Sequence, residues 1–79
     1  AAGQLSREAR EQGIAELAQF FRDGQRQGEF RRFAIRPMAV SLMAALEAAP
    51  AEFAAHPETD AARYARELAR AFELAVRKT

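Results

Sequence analysis

The sequence predicts an all-α fold, in which three helices form a single domain over residues 1–79. Two observations support this prediction. Apolar residues recur every three or four positions in three separate segments, which is the spacing of amphipathic helices. Valine, isoleucine and threonine are scarce, and no segment alternates apolar with polar residues as a half-buried strand would. Seventy-nine residues make at most one domain, so the three segments are expected to share one core.

The first helix is predicted from about Ser6 to about Gln27. Ser6 is a suitable N-cap, because its hydroxyl can accept a hydrogen bond from a free amide of the first turn. Gly13 lies inside the pattern, where glycine costs about 1 kcal/mol relative to alanine. We therefore expect a break or a close packing contact at Gly13.

The segment RDGQRQGEF follows the apolar run of this helix and contains two glycines. Gly28 is predicted to be the structural cap of the helix, because glycine adopts the left-handed C′ conformation without steric cost. Gly24 would be either a weak point inside the first helix or an earlier end of that helix. Residues 29–36 then form a connector, and Phe30 and Phe33 are apolar enough to hold it against the core.

The second helix is predicted to start at Pro37, since proline at the first helical position lacks only an amide that would have no partner there. Pro50 should break or kink it, because the proline ring clashes with the carbonyl four residues earlier. A further turn or two over 51–55 would follow before His56 and Pro57 end the helix. The third helix is expected to begin at Thr59 or Asp60 and to continue to about Arg77.

The composition excludes several kinds of site. No cysteine is present, so disulfides and thiolate metal sites are excluded, and His56 is the single histidine. Twelve basic and eleven acidic side chains give a net charge of +1, which argues against a dedicated nucleic-acid surface on this segment. We predict no enzyme activity, no metal and no cofactor. His56 is expected to be a solvated or capping residue, and Ser41 to hydrogen-bond to its own helix backbone.

The second and third helices are predicted to form an interface between two copies of the chain. Their apolar faces are wide and rich in alanine, and a small domain without disulfides or metals usually needs a partner. An antiparallel hairpin of these two helices from each copy would make an intermolecular four-helix bundle. The alternative is a monomer whose broad faces reflect alanine usage alone. The predicted dimer-interface residues are Met38, Leu42, Met43, Ala45, Leu46, Ala49, Phe53, Tyr64, Ala65, Leu68, Phe72 and Ala75.

The sequence resembles the C-terminal portion of TetR-type transcriptional repressors over roughly residues 15–76. Members of that family often carry a phrase like Gly-x-x-x-Gly-Glu-Phe-Arg before their penultimate helix, and residues 24–31 match it. Their final helix often opens with an aspartate and has an aromatic residue near its first turn, as Asp60 and Tyr64 do here. The family's usual aspartate before the proline is Arg36 in this chain, a poor N-cap, so fraying of the second helix is expected there.

The resemblance implies a C-terminal regulatory and dimerisation domain of a regulator. It implies a homodimer built on the last two helices, a small-molecule effector, and DNA binding through an N-terminal helix-turn-helix that is not in this sequence. We therefore expect the chain to be a piece of a longer protein. A free-standing helical protein-interaction module is the alternative function.

An apolar effector site is predicted around the aromatic residues of the first helix and the connector. Its candidate residues are Phe20, Phe21, Phe30, Phe33 and Met38. Plain core packing is the alternative role of these side chains, because aromatic residues dominate small cores whatever the function. Arg31, Arg32 and Arg36 form a basic patch near the connector, which is either solvated or a site for an acidic effector or a phosphate.

The expected location is cytoplasmic. The first residues lack a basic region followed by an apolar one, so no signal peptide is predicted. No uninterrupted apolar run reaches the roughly 18 residues of a membrane span, and no membrane partner is predicted.

Overall fold

The computed structural model describes the backbone of residues 2–78 and the side chains of residues 6–78. It contains three helices, α1 (Ala2–Arg26), α2 (Ile35–Ala55) and α3 (Ala61–Val76). Within the described backbone the sole β-type pairing is an isolated antiparallel bridge between Phe30 and Arg77. The predicted all-α class and the three helices are confirmed.

The start of α1 differs from the prediction. Helix α1 begins at Ala2, so Ser6 lies within the helix and is not its N-cap. Ala2, Gln4 and Leu5 have high helix propensity, which favours extension of the helix before Ser6 although Gly3 opposes it. A capping hydroxyl is a weak local signal, which good helix formers upstream can override.

The end of α1 is a Schellman motif around Gly28. Gly28 has a φ of 76°, and it is the one described residue with a positive φ. The amide of Glu29 donates to the carbonyl of Gly24 at 2.9 Å, and the amide of Gly28 donates to that of Gln25 at 3.1 Å. These two bonds satisfy carbonyls that would have no partner at a helix end. The predicted cap at Gly28 is confirmed.

The start of α2 lies two residues earlier than predicted, at Ile35. Pro37 is the third residue of the helix, a position where the missing amide again costs no intrahelical bond. Ala34 is the N-cap and its side chain makes no capping hydrogen bond. Arg36 is therefore not the N-cap, and its side chain pairs instead with Glu11 of α1 at 2.5 Å.

Helix α2 continues through Pro50 to Ala55, so the expected break at the proline does not occur. The amide of His56 donates to the carbonyl of Glu52 at 2.9 Å and closes the last turn. Asp60 caps α3 as predicted, because its carboxylate accepts from the amide of Arg63 at 3.0 Å. The next helix therefore starts with one of its free amides satisfied.

The core is small and lies where α1, α2 and the end of α3 meet. Its buried members are Ile14, Ala18, Phe21, Ala39 and Val76. Phe30 and Phe33 of the connector are half-buried and pack against this cluster, as predicted. The amide of Arg31 donates to the carbonyl of Val76 at 2.9 Å, so the connector also holds the C-terminal end of α3.

Helix α1 crosses α2 at Gly13, where an added β-carbon would meet the terminal methyl of Met43. Two ion pairs lie on either side of this crossing. Glu11 pairs with Arg36, and the neighbouring Arg10 donates to Glu47 at 2.9 Å. Arg36 and Glu47 are about 16 Å apart along α2, so two consecutive residues of α1 are tied to well-separated points of α2. Glycine at the crossing lets the two axes approach closely.

The three helices form a flat layer. The principal dimensions are 39 × 35 × 14 Å, so the shortest is less than half of either of the other two. The radius of gyration is 14.4 Å, against about 12 Å for a compact domain of this length. Each helix therefore has a face that no other helix of the same chain covers.

Candidate functional site

The predicted interface residues lie on α2 and α3, on surfaces that the chain itself covers only in part. None of the twelve is fully buried. Leu46 and Ala65 are exposed, and the side chain of Leu46 keeps 49% of its surface accessible. The half-buried members are Met38, Leu42, Met43, Ala45, Ala49, Phe53, Tyr64, Leu68, Phe72 and Ala75.

Some of the predicted interface residues pack against other residues of the same chain. Met38, Leu42 and Met43 pack against the core cluster, and Met43 lies over Gly13 of α1. Ala45 and Ala49 are half-buried and lie on the same face of α2 as Met38, because residues seven and eleven positions apart share a face of a helix. The most accessible of the predicted apolar side chains on α2 is Leu46, which lies beside Ala45 and Ala49 and is 49% exposed.

Helices α2 and α3 run antiparallel. The rings of Phe53 and Tyr64 meet edge to face beside the loop that joins the helices, with centroids 5.1 Å apart. Further from the loop, Leu42 and Phe72 line the same cavity from opposite sides. Contact between the two helices is thus close at the loop, and it opens into a cavity toward the other end.

This apolar cavity has a volume of about 280 Å³. It lies between the end of α1, the connector, α2 and α3. Phe20, Phe21 and Phe30 form the aromatic side, and their ring centroids are between 5.5 and 6.2 Å apart. The complete lining is Phe20, Phe21, Phe30, Leu42, Ala69, Phe72, Glu73 and Val76.

Three of the five predicted effector residues line this cavity. Phe33 packs edge to face on Phe21 with centroids 5.4 Å apart but does not line the cavity. Met38 packs against the core and is also outside it. Phe20 retains 59% of its accessible surface, so core packing alone does not account for its ring.

The sequence did not indicate that α3 would form the far wall. Leu42 and Phe72 were assigned to the dimer interface, and Ala69, Glu73 and Val76 were assigned to no site. Ala69 and Val76 lie three and four residues from Phe72, on the same face of α3. That periodicity was visible in the sequence, whereas the contact between Arg31 and Val76 that brings α3 to the aromatic cluster was not.

Glu73 is the one ionisable side chain in the lining. Its carboxylate accepts from Arg70 at 3.3 Å and from Arg77 at 3.1 Å. These exposed pairs sit at the rim of the cavity, and each is worth well under about 1 kcal/mol. A ligand in the cavity would meet apolar surface on most sides and a carboxylate at one edge.

His56 and Ser41 lie outside this cavity. His56 is exposed at the end of α2, with Nδ1 3.4 Å from Oε1 of Glu58. Ser41 donates to the carbonyl of Pro37 at 2.7 Å, which confirms the predicted backbone bond. Among the described residues, no group of three or more His, Asp or Glu side chains could hold a metal ion.

Helix α2 is long and apolar enough to cross a membrane when judged by length and composition alone. It has 21 residues, a mean hydropathy of 1.3 over its most apolar window, and little burial there. The prediction based on uninterrupted apolar runs did not detect this helix, because single charges interrupt it. Two of those charges, Arg36 and Glu47, pair with α1.

Comparisons of the chain with protein-family models, with curated proteins and with solved structures give no match.

Proposed function

We propose that this chain is the C-terminal regulatory and dimerisation domain of a TetR-like transcriptional regulator. The observation that carries the proposal is the flat, single-layer arrangement, which leaves α2 and α3 with apolar side chains on a side that nothing in the chain covers. The Schellman motif at Gly28 adds support, since it gives the glycine phrase shared with that family a defined turn.

In this proposal two copies meet through the hairpin of α2 and α3. The small side chains of Ala45 and Ala49 let the helices of the second copy approach closely, and Leu46 packs at their centre. Burial of apolar surface drives the association, at roughly 25 cal/mol for each Å² removed from water. Two hairpins give a four-helix bundle around a two-fold axis.

The effector is proposed to occupy the apolar cavity beside Phe20, Phe30 and Phe72. A volume of about 280 Å³ lies near the lower end of the range for small-molecule sites, so the ligand is small. Its body is apolar, and a hydrogen-bond donor or a cationic group faces Glu73. Because Leu42 and Phe72 belong to the same hairpin that dimerises, a ligand there would change the spacing of α2 and α3. DNA would be bound by a helix-turn-helix upstream in the intact regulator.

Sedimentation equilibrium over a range of micromolar concentrations tests the dimer. A single species of twice the 8.8 kDa chain mass is expected. A monomer at every concentration would overturn the proposal. The remaining function would then be a helical protein-interaction module. In that case the exposed face of the flat layer would bind a different protein.

A further inference from the structure

The C-terminal end of α1 and the connector form a second cleft, which is polar and separate from the apolar cavity. Its volume is about 270 Å³, and it is lined by Arg22, Gln25, Arg26 and Arg32. Three arginines therefore line one cleft in a chain whose net charge is only +1. Such a local excess of positive charge favours the binding of an anion.

The backbone brings the three arginines together. Arg22 and Arg26 are four residues apart and lie on the same face of α1. The left-handed turn at Gly28 reverses the chain, so the connector returns alongside the last turn of the helix. Nε2 of Gln25 donates to the carbonyls of Arg31 at 3.1 Å and Phe33 at 3.2 Å. These two bonds fix the backbone on both sides of Arg32 and hold that residue at the cleft.

One arginine of the cleft has a carboxylate partner. Arg26 pairs with Asp23. The hydrogen bond from Gln19, followed by that from Arg26, lowers the pKa of Asp23, and the nearby charge of Arg22 contributes to the same direction. The guanidinium groups of Arg22 and Arg32 have no acceptor among the described residues. Neighbouring Arg31 differs, because its Nε donates to the carbonyl of Ala75 at 2.7 Å and its guanidinium lies over the ring of Phe33.

We propose that this cleft binds the phosphate group of a small phosphorylated ligand. Planar guanidinium groups match phosphate oxygens through paired, charge-assisted hydrogen bonds. A doubly charged anion would also offset the repulsion between the arginines that line the cleft. The cleft is one local cluster of limited volume, whereas a nucleic-acid surface needs a basic face extending along the molecule. The site does not depend on the proposed regulator function or on dimerisation.

Isothermal titration of the full chain with inorganic pyrophosphate at low ionic strength tests the site. The double variant Arg22→Gln with Arg32→Gln is expected to bind at least about tenfold more weakly, because each removes a charge-assisted bond. The matched control is Arg7→Gln with Arg66→Gln, which removes the same charge from two other exposed arginines. The control should keep the affinity of the parent chain.

Gln25→Ala provides a second arm, since it keeps every charge and removes the two bonds that position Arg32. Weaker pyrophosphate binding is expected, at a temperature where circular dichroism shows the same helical content as the parent chain. The proposal is overturned if the two double variants bind equally, since that would mean only a diffuse charge effect. It is also overturned if a short DNA duplex binds more tightly than pyrophosphate and in the same arginine-dependent manner.

Discussion

The ring of Phe30 lies directly on Gly24, where a β-carbon would overlap three of its ring carbons. The same glycine supplies the carbonyl that accepts from the amides of Glu29 and Phe30 at 2.9 and 3.1 Å. Gly24 is thus both the surface on which the ring packs and the acceptor that closes the turn. The first glycine of the RDGQRQGEF segment is needed for space, and the second, Gly28, for its positive φ.

Gly24→Ala is expected to destabilise the fold although alanine is the better helix former. Phe30 is half-buried against the core, and its ring would have to move as a whole to make room. Overpacking of this kind costs about 1–3 kcal/mol, more than the gain of about 1 kcal/mol in helix propensity. Urea unfolding followed by circular dichroism measures the difference.

Gly13→Ala is the matched control for that experiment. Its β-carbon would overlap the terminal methyl of Met43 and make an ordinary contact with the sulfur, both at the flexible end of a side chain. The methionine can move aside, so the variant should be as stable as the parent chain or slightly more stable. Equal losses of stability at both positions would contradict the role of the Phe30 ring.

Gly28→Val is expected to lower the free energy of unfolding by about 1 kcal/mol or more, because a β-branched residue is strained at a φ of 76°. An added β-carbon would lie 3.8 Å from Nζ of Lys78, an ordinary contact, so the cost comes from the backbone. Gly28→Asn should recover much of the loss, since asparagine tolerates this conformation. Thermal unfolding of the two variants measures the difference. Identical melting temperatures would contradict the role of the positive φ at Gly28.

The sequence predicted the features that depend on neighbouring residues. The helix count, the turn at Gly28 and the cap at Asp60 follow from periodicity and from single-residue chemistry. The helix starts were wrong at Ser6 and Pro37, because α1 and α2 begin earlier, at Ala2 and Ile35, and a plausible capping or first-turn residue does not prevent the residues before it from being helical. The helix also continued through Pro50, where local propensity predicted a break.

The sites were less predictable, because they depend on contacts between distant segments. Phe20, Phe21 and Phe30 are close in sequence and were grouped correctly, whereas the α3 wall of their cavity follows from the contact of the connector with Val76. The arginine cleft was also not predicted, because Arg32 was grouped with Arg31 and Arg36 and not with Arg22 and Arg26. Arg31, Arg32 and Arg36 are near one another in sequence, but Arg36 pairs with Glu11 and Arg31 bonds to α3.

The pair formed by Glu11 and Arg36 should make stability depend on pH. The hydrogen bond from Arg36 lowers the pKa of Glu11 in the folded chain below its usual value. The stabilisation that ionised Glu11 gives the folded chain is therefore fully present above its unfolded pKa of about 4.3. It is lost as pH falls through the lower pKa that Glu11 has in the folded chain. Glu11→Gln should show a smaller loss of stability than the parent chain between pH 5 and pH 3 in low salt. Both side chains are more than half exposed, so added salt should reduce the difference.

Leu46→Arg is expected to abolish the proposed dimer while leaving the monomer folded. Leu46 is 49% exposed in the single chain, so arginine there remains solvated, but in the four-helix bundle it would be a buried and unpaired charge. Phe72→Arg should also prevent dimers, although Phe72 lines the apolar cavity and its loss would affect both sites. Leu46→Arg therefore separates dimerisation from ligand binding more cleanly.

Leu74→Arg is the matched control, because Leu74 is equally exposed at 49% but lies two residues from Phe72, on the opposite and charged side of α3. Light scattering should give a dimer for the Leu74 variant and a monomer for the Leu46 variant, with the same helical content by circular dichroism. Dissociation by both substitutions would indicate a general charge effect. A dimer that survives Leu46→Arg would mean that the two copies meet on another face, and the hairpin of α2 and α3 would not be the interface.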